Sequence, residues 1–494
     1  MSDSTGVRAR GEIGAAARSA PAFVLYETVM RFKGLILVPV LTRALPLESY
    51  GLYVQAMVVM GLGAALAGFH LHHTLVRFLP GAATVRERSG VLTECLAATA
   101  AASLVLVPPL CLLAATVNPG LRAVLVPLAL LIVAESWLQL ATGFYIASER
   151  VALNLIANTL VVLCDLIVVT SAAVMEAGLS RMLLGMIAVR AAALVVLGPG
   201  LLGGFSVRAI SPARLARLLR FASSLVLGAV AAWIVDSSDR IVIGVMLGNA
   251  LVGAYNPAYI FGSLLLVVPR LAGTLLPPMA ARLHDRGEEE VIRLILQRYW
   301  RGLLLLSLPF IAATLVLQDV VLGALATPEV AVAARWVAPI VALGTLFYAA
   351  AAIFGEVMKL KLRPGATARA WMLAAAVNVA LNLILVPRLG LIAAAITTAS
   401  SFGVAFVLVY RASARLMPIS LEPWTALRCA LSCAPLLVAF AVLRPTGLVS
   451  SLTLAGAGAG AYALLVFGMD LIRGEHLLQI WSAVQPTRPA AETR

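Results

Sequence analysis

The feature that most constrains this chain is a succession of apolar runs, each about 20 residues long. A helix rises about 1.5 Å per residue, so such a run crosses the ~30 Å hydrocarbon layer of a bilayer. Lipid offers the backbone no hydrogen-bond partner, so each run must pair its own amides as a helix. The short alternating segments of a membrane β-barrel are absent. Spans are expected near 22–43, 52–76, 92–115, 123–147, 152–174, 182–204, 220–246, 253–280, 302–318, 332–356, 371–387, 390–410, 426–443 and 450–471. The predicted fold is therefore an all-α membrane protein of about 14 transmembrane helices, with almost no soluble domain.

Composition agrees. The 494 residues are 62% hydrophobic and only 12% charged, against about 25% charged in soluble domains. The net charge of +14 would suggest nucleic acid in a soluble protein. Here the basic residues gather at the ends of apolar runs and do not alternate with aromatics, so no nucleic-acid partner is expected. Loops assigned alternately to the two sides carry 25 and 5 Lys/Arg residues. That bias predicts an even span count and cytoplasmic N- and C-termini.

Residues 1–20 read as a disordered cytoplasmic tail and 475–494 as a second polar tail. The first apolar run follows a polar tail and is long, so it is expected to stay as an anchor, not to be cleaved as a signal peptide. Ser211–Arg220 and residues 288–300 read as helices lying in the headgroup layer. Cys95, Cys111, Cys164, Cys429 and Cys433 all lie in apolar segments and read as small packed residues.

The two halves resemble each other. Gly51-Leu-Tyr53 matches Gly253-Ala-Tyr255, Pro108 matches Pro309, Pro119 matches Pro328, and Gly178 matches Gly390, in order and at slowly growing offsets. This predicts two pseudo-symmetric six-helix bundles, 21–204 and 221–411, joined by a cytoplasmic linker at 205–220. A terminal helix pair, 412–474, follows. The pseudo-two-fold would run along the membrane normal, and such repeats commonly enclose a central cavity.

Three segments carry a family resemblance. Leu41–Tyr53 (LTRALPLESYGLY), Asp239–Tyr255 (DRIVIGVMLGNALVGAY) and Asn382–Ala395 (NLILVPRLGLIAAA) resemble, in order, the first-helix, seventh-helix and eleventh-to-twelfth-helix patterns of bacterial polysaccharide flippases. Ala393 departs from the usual second glycine of the third pattern. The resemblance implies the multidrug/oligosaccharidyl-lipid/polysaccharide exporter superfamily. It further implies the branch that moves undecaprenyl-pyrophosphate-linked oligosaccharides from the cytoplasmic to the periplasmic leaflet of the bacterial inner membrane. Its partners would be the lipid-linked oligosaccharide, membrane lipids, and a polysaccharide polymerase and glycosyltransferases.

Charges inside a bilayer cost about 2.5–3.5 kcal/mol each by insertion scales, and those retained face an interior. In span one, Glu27 and Arg31 share a helix face, while Lys33 points elsewhere. Arg270 in span eight lies at a similar depth to Arg31. Arg31 and Arg270 are expected to face each other across a cavity and grip a diphosphate, since the guanidinium fork suits phosphate oxygens. Lys33, Glu27 and His72 complete the expected substrate-binding set. The competing readings are an Arg31–Glu27 pair, Arg270 bonded to backbone freed by Pro269, and a snorkelling Lys33.

Asp236 and Arg240 have i,i+4 spacing and read as an ion pair. Asp236 or Asp239 could instead hold a coupling cation or proton. Glu135, Asp165 and Arg190 carry the same two readings. On a continuous helix His70 and His72 lie about 200° apart, so one metal could not use His70, His72 and His73 together. No metal site, cofactor or catalytic residue is expected. Other functions compatible with the sequence are a cation-coupled multidrug antiporter of the same superfamily, a membrane-embedded glycan-assembly enzyme, and a scaffold.

Overall fold

The computed structural model describes residues 33–267, 280, 283–284, 287–361, 364–445 and 447–469. Among them every regular element is a helix. The N-terminal half contains α1 (33–44), α2 (Leu47–Ala67), α3 (Leu71–Phe78), α4 (Val85–Val117), α5 (Leu125–Ala147), α6 (Val151–Val174) and α7 (Gly178–Leu202). The C-terminal half contains α8 (Pro212–Met246), α9 (Asn249–Gly262), α10 (Glu289–Leu325), α11 (Pro328–Ala333), α12 (Val337–Leu360), α13 (Pro364–Leu389) and α14 (Leu391–Ala414). Helices α15 (Pro423–Ser432), α16 (Ala434–Leu443) and α17 (Leu448–Gly468) follow. Twelve helical segments of the described residues are long and apolar enough to span a membrane. The expected first and eighth spans lie partly outside the described residues.

Local chemistry sets the helix ends. Thr84 caps α4 by accepting from the Glu87 amide at 3.1 Å, and Glu87 reaches back to the Ala83 amide at 3.1 Å, a capping arrangement that satisfies otherwise orphaned donors. The repeat-related residues play matching parts. Gly178 and Gly390 both stand at helix starts with φ of +79° and +66°, a region glycine enters without steric penalty. Pro119 and Pro328 both open a helical turn behind a capping side chain, Asn118 and Thr327 respectively.

Three readings need correction. Ser211–Arg220 and residues 288–300 are not separate surface helices. They belong to α8, continuous for 35 residues, and α10, continuous for 37. Nothing in their amphipathic pattern marks whether a helix stops at the membrane surface or runs on. The predicted second span breaks into α2 and α3, with Phe69 and His70 in the left-handed region, where a non-glycine residue costs about 1–3 kcal/mol. Cys164 is exposed. It shares a face of α6 with Leu160, Leu163 and Ile167, all exposed apolar residues that suit lipid. An apolar run does not distinguish lipid-facing from core-facing positions, because both are apolar.

Among the described residues, three large cores dominate the packing. One draws on both halves, joining Leu41, Tyr50, Leu128 and Met182 to Ile243, Tyr255, Leu322, Val337 and Leu391. These residues come alternately from helix starts and helix ends, so the shared core occupies one end of an antiparallel bundle. At the other end the cores are separate. Leu71, Leu92, Tyr145 and Leu201 form one in the N-terminal half, joined by Leu218 from the start of α8. Leu296, Trp300, Phe354 and Met417 form another in the C-terminal half. The halves are thus fused at one end; at the other, among the described residues, they are linked through the start of α8, where Leu218 joins the N-terminal core and Arg214 forks onto Glu94 of α4 at 2.8 Å. The terminal helices dock on α10, where Tyr462 Oη donates to the Leu305 carbonyl at 2.8 Å. Only 17% of the α17 span is buried, against 72% for α12, which places α17 at the periphery.

Candidate functional site

The fused end is built by the repeat itself. A Cβ on Gly51 would overlap the Asn249 carbonyl oxygen, and one on Gly253 would overlap the Leu47 carbonyl oxygen. These contacts are reciprocal at one sequence offset, as residues beside a two-fold axis must be. Only glycine lets α2 and α9 approach so closely. Side chains then latch the halves. Glu48 accepts from Asn249 Nδ2 at 3.0 Å and from the Ala250 amide at 2.9 Å. Asn118 Nδ2 donates to Asn249 Oδ1 at 2.7 Å, and Asn256 Nδ2 donates to Tyr50 Oη at 2.9 Å.

A charge cluster lies in the N-terminal half. The Arg190 guanidinium on α7 forks onto Asp165 of α6, with Nη1 to Oδ1 at 2.5 Å and Nη2 to Oδ2 at 3.0 Å. Its Nε donates to Glu135 of α5 at 3.0 Å. Lys33 Nζ on α1 reaches Asp165 Oδ2 at 3.3 Å. Asp165 and Arg190 are 1% and 5% exposed at the side chain, whereas Lys33 is 23% exposed. The two cations and two carboxylates balance, so Arg190 is a fixed strut and Lys33 is its accessible rim. Lys33 therefore does not snorkel away; it pairs across helices. The neighbouring Gly34 faces Ile260 of α9, so Lys33 sits near the boundary between halves.

A second buried polar network lies in the C-terminal half. Arg240 pairs with Asp239 at 3.0 Å and not with the Asp236 carboxylate; its Nη1 bonds the Asp236 backbone carbonyl instead. Asp236 accepts from Tyr259 Oη at 2.8 Å and Asp239 from Tyr255 Oη at 2.6 Å. The Arg240 guanidinium stands 3.8 Å from the Tyr259 ring centroid, a cation–π geometry. The i,i+4 spacing overlooked this because Tyr259 of α9 already holds Asp236, while Tyr255 holds Asp239. Beside them Ser238 and Asn382 both donate to Asn378 Oδ1, at 3.0 and 2.9 Å. Gln55 of α2 enters from the other half and donates to the Arg240 carbonyl at 2.6 Å.

Glu27, Arg31 and Arg270 lie outside the described residues. His72 is brought together with His70 and His73 at the α2–α3 break. Sequence reasoning missed Gln55, Asn118, Glu48 and Asn249 as interhalf contacts. Glu48 and Asn249 do fall within the two segments that carried the family resemblance, which was their available signal.

Two lobes fused at one end, with charges buried inside their helix bundles, define a two-lobed, multi-pass membrane protein. Similarity to known proteins agrees. Residues 22–284 match the family described as Polysaccharide biosynthesis protein. Over 191 residues the chain is 25% identical to "Probable low-salt glycan biosynthesis flippase Agl15" of Haloferax volcanii. That match spans 39% of this chain and 40% of the relative. The structure of the lipid II flippase MurJ in an inward closed conformation superposes with a TM-score of 0.75 at 12% identity, covering 92% of this chain and 99% of that one. An inward-facing multidrug resistance MATE family transporter of the MOP superfamily gives 0.64 at 11% identity, covering 78% and 94%. At these identities the structural likeness is one of fold. The family match covers more than half of the sequence, and the chain belongs to the Polysaccharide biosynthesis protein family.

Proposed function

We propose that the chain is an alternating-access flippase. It moves an undecaprenyl-pyrophosphate-linked oligosaccharide from the cytoplasmic to the periplasmic leaflet of a bacterial inner membrane, with both of its termini cytoplasmic. The observation that carries this reading is the packing of the two halves, fused broadly at one end and, among the described residues, linked at the other through the start of α8, in a chain of this family. Halves packed in this way would part toward one side only. Rocking the halves about the α2–α9 contact would exchange the open side. The bundles 21–204 and 221–411 are the moving units, with 205–220, which includes the first turns of the continuous α8, as their connection.

No bond is broken in this process, so the protein acts as a transporter and not as an enzyme. Its work is to shelter a polar headgroup while the lipid tail stays in the bilayer. Lys33 supplies an accessible cation near the boundary between the halves, and Arg31 and Arg270 are proposed as further phosphate ligands. An ammonium binds phosphate as a point charge and can swing from Asp165 to a diphosphate oxygen. Asp165 remains held by Arg190 when Lys33 leaves, so the exchange strands no buried charge. Asp239 is already bonded on both oxygens, which favours a structural over a coupling role. Glycosyltransferases would supply the substrate and a polymerase would consume it.

The test is to deplete the protein and locate the lipid-linked oligosaccharide by leaflet. Accumulation on the cytoplasmic face is expected; unchanged delivery to the outer leaflet overturns the proposal. Lys33→Gln should then reduce flipping by about 10–100-fold, as the loss of one charged hydrogen bond implies. It should do so with little loss of melting temperature, because Arg190 still neutralises Asp165. Wild-type flipping in Lys33→Gln removes Lys33 from the substrate path.

A further inference from the structure

We propose that His70, His72 and His73 form a binding site for one divalent transition-metal ion of the zinc class, built on the break between α2 and α3. One ring nitrogen from each histidine lies within 4.8 Å of the others. The ring centroids are 4.1–5.6 Å apart. Zinc–imidazole bonds of about 2.0–2.1 Å in a tetrahedral arrangement put ligand nitrogens about 3.3 Å apart. Side-chain rotations that draw the rings inward by an ångström or so reach that geometry.

The helix break makes the site possible. On an unbroken helix these residues diverge; here Phe69 and His70, at φ of +46° and +48°, turn the chain and gather the rings. Gly143 of α5 then clamps the turn, since a Cβ there would lie 2.5 Å from the His72 carbonyl oxygen. A strained turn held rigidly from outside is a usual setting for a functional group.

Three of the ring nitrogens also lack partners among the described residues. Nδ1 and Nε2 of His70 and Nδ1 of His72 are buried with no hydrogen bond among the described residues. Buried polar atoms are nearly always satisfied, and each exception calls for a cause. A bound ion would be one. Three neutral imidazoles with no carboxylate suit zinc, cobalt, nickel or copper, and not the hard, oxygen-seeking calcium or magnesium. A phosphate would instead require several imidazolium charges within 4.8 Å of one another. His73 is exposed and provides the entry, and three protein ligands leave a fourth position for solvent.

The experiment uses the full chain, purified in detergent, freed of any affinity tag and stripped with chelator. It is titrated with Co2+, read by its visible ligand-field bands, and with Zn2+ in competition against a chromophoric chelator. One ion per chain is expected, with band intensities of four-coordination. His73→Ala, at an exposed position with little packing to lose, should weaken binding more than about tenfold, since even outer partners of metal ligands contribute 10–100-fold. His284→Ala should leave it unchanged. No binding at micromolar metal, or equal binding by wild type and His73→Ala, overturns the site.

Discussion

Gly51→Val is expected to cut transport by about tenfold or more and to open the fused end of the molecule. The new Cβ would overlap the Asn249 carbonyl oxygen and lie 3.0 Å from the Gly253 amide nitrogen. Both obstacles are backbone and cannot rotate away. Overpacking a tight contact costs about 1–3 kcal/mol. Separating α2 from α9 also loosens the Glu48 and Asn118 bonds to Asn249, each contributing about 0.5–1.5 kcal/mol. Every 1.4 kcal/mol is about a tenfold change in population, so the closed form should become a minor one. Val252→Cys reports this directly. Val252 is 0% exposed in the sealed form, and in the Gly51→Val background its thiol should become reactive to a membrane-impermeant maleimide. Gly253→Val should behave alike, because its Cβ meets Leu47 in the mirrored contact. Gly456→Val should be silent, since nothing lies within 4 Å of the added carbon. Normal transport and an unreactive Val252→Cys in Gly51→Val would show that this contact is not the seal.

The second large effect is expected at Arg190. Replacing it with methionine leaves Asp165, 1% exposed, with Lys33 as its remaining cation, and takes from Glu135 its guanidinium partner. Breaking a buried pair from one side destabilises by about 3–5 kcal/mol. The melting temperature in detergent should therefore fall by several degrees or more. Replacing both partners, Asp165→Leu with Arg190→Met, removes the stranded charge and should recover much of that loss. The double variant separates structure from transport. If it is stable but inactive, Asp165 is needed as the resting partner of Lys33. If it is stable and active, the cluster is scaffold. An unaltered melting temperature in Arg190→Met alone would contradict the strut described above.

The repeat was legible for a physical reason. Glycines at 51 and 253 must be glycines because two backbones touch there. Glycines at 178 and 390 must be so because φ is positive. Such requirements act on one residue type and leave a mark in the chain. Charge pairing leaves no comparable mark. Lys33 and Asp165 are 132 residues apart, and Asp236 has the right spacing for Arg240 yet is held by Tyr259. The histidines show the same limit from the other side. Ideal helical geometry sets them apart, and a turn at Phe69–His70 brings them together.

What could be read from the chain alone was whatever depends on local, one-dimensional properties. Hydrophobic length predicted the membrane spans, and recurring glycines and prolines predicted two related halves. What had to await the folded molecule was the choice of partners: which helices are neighbours, where a span breaks, and which apolar face meets lipid. The bilayer explains the division. It selects each span by length and apolarity wherever that span finally sits, whereas a buried charge is stabilised only by the particular groups that packing brings within about 3 Å of it.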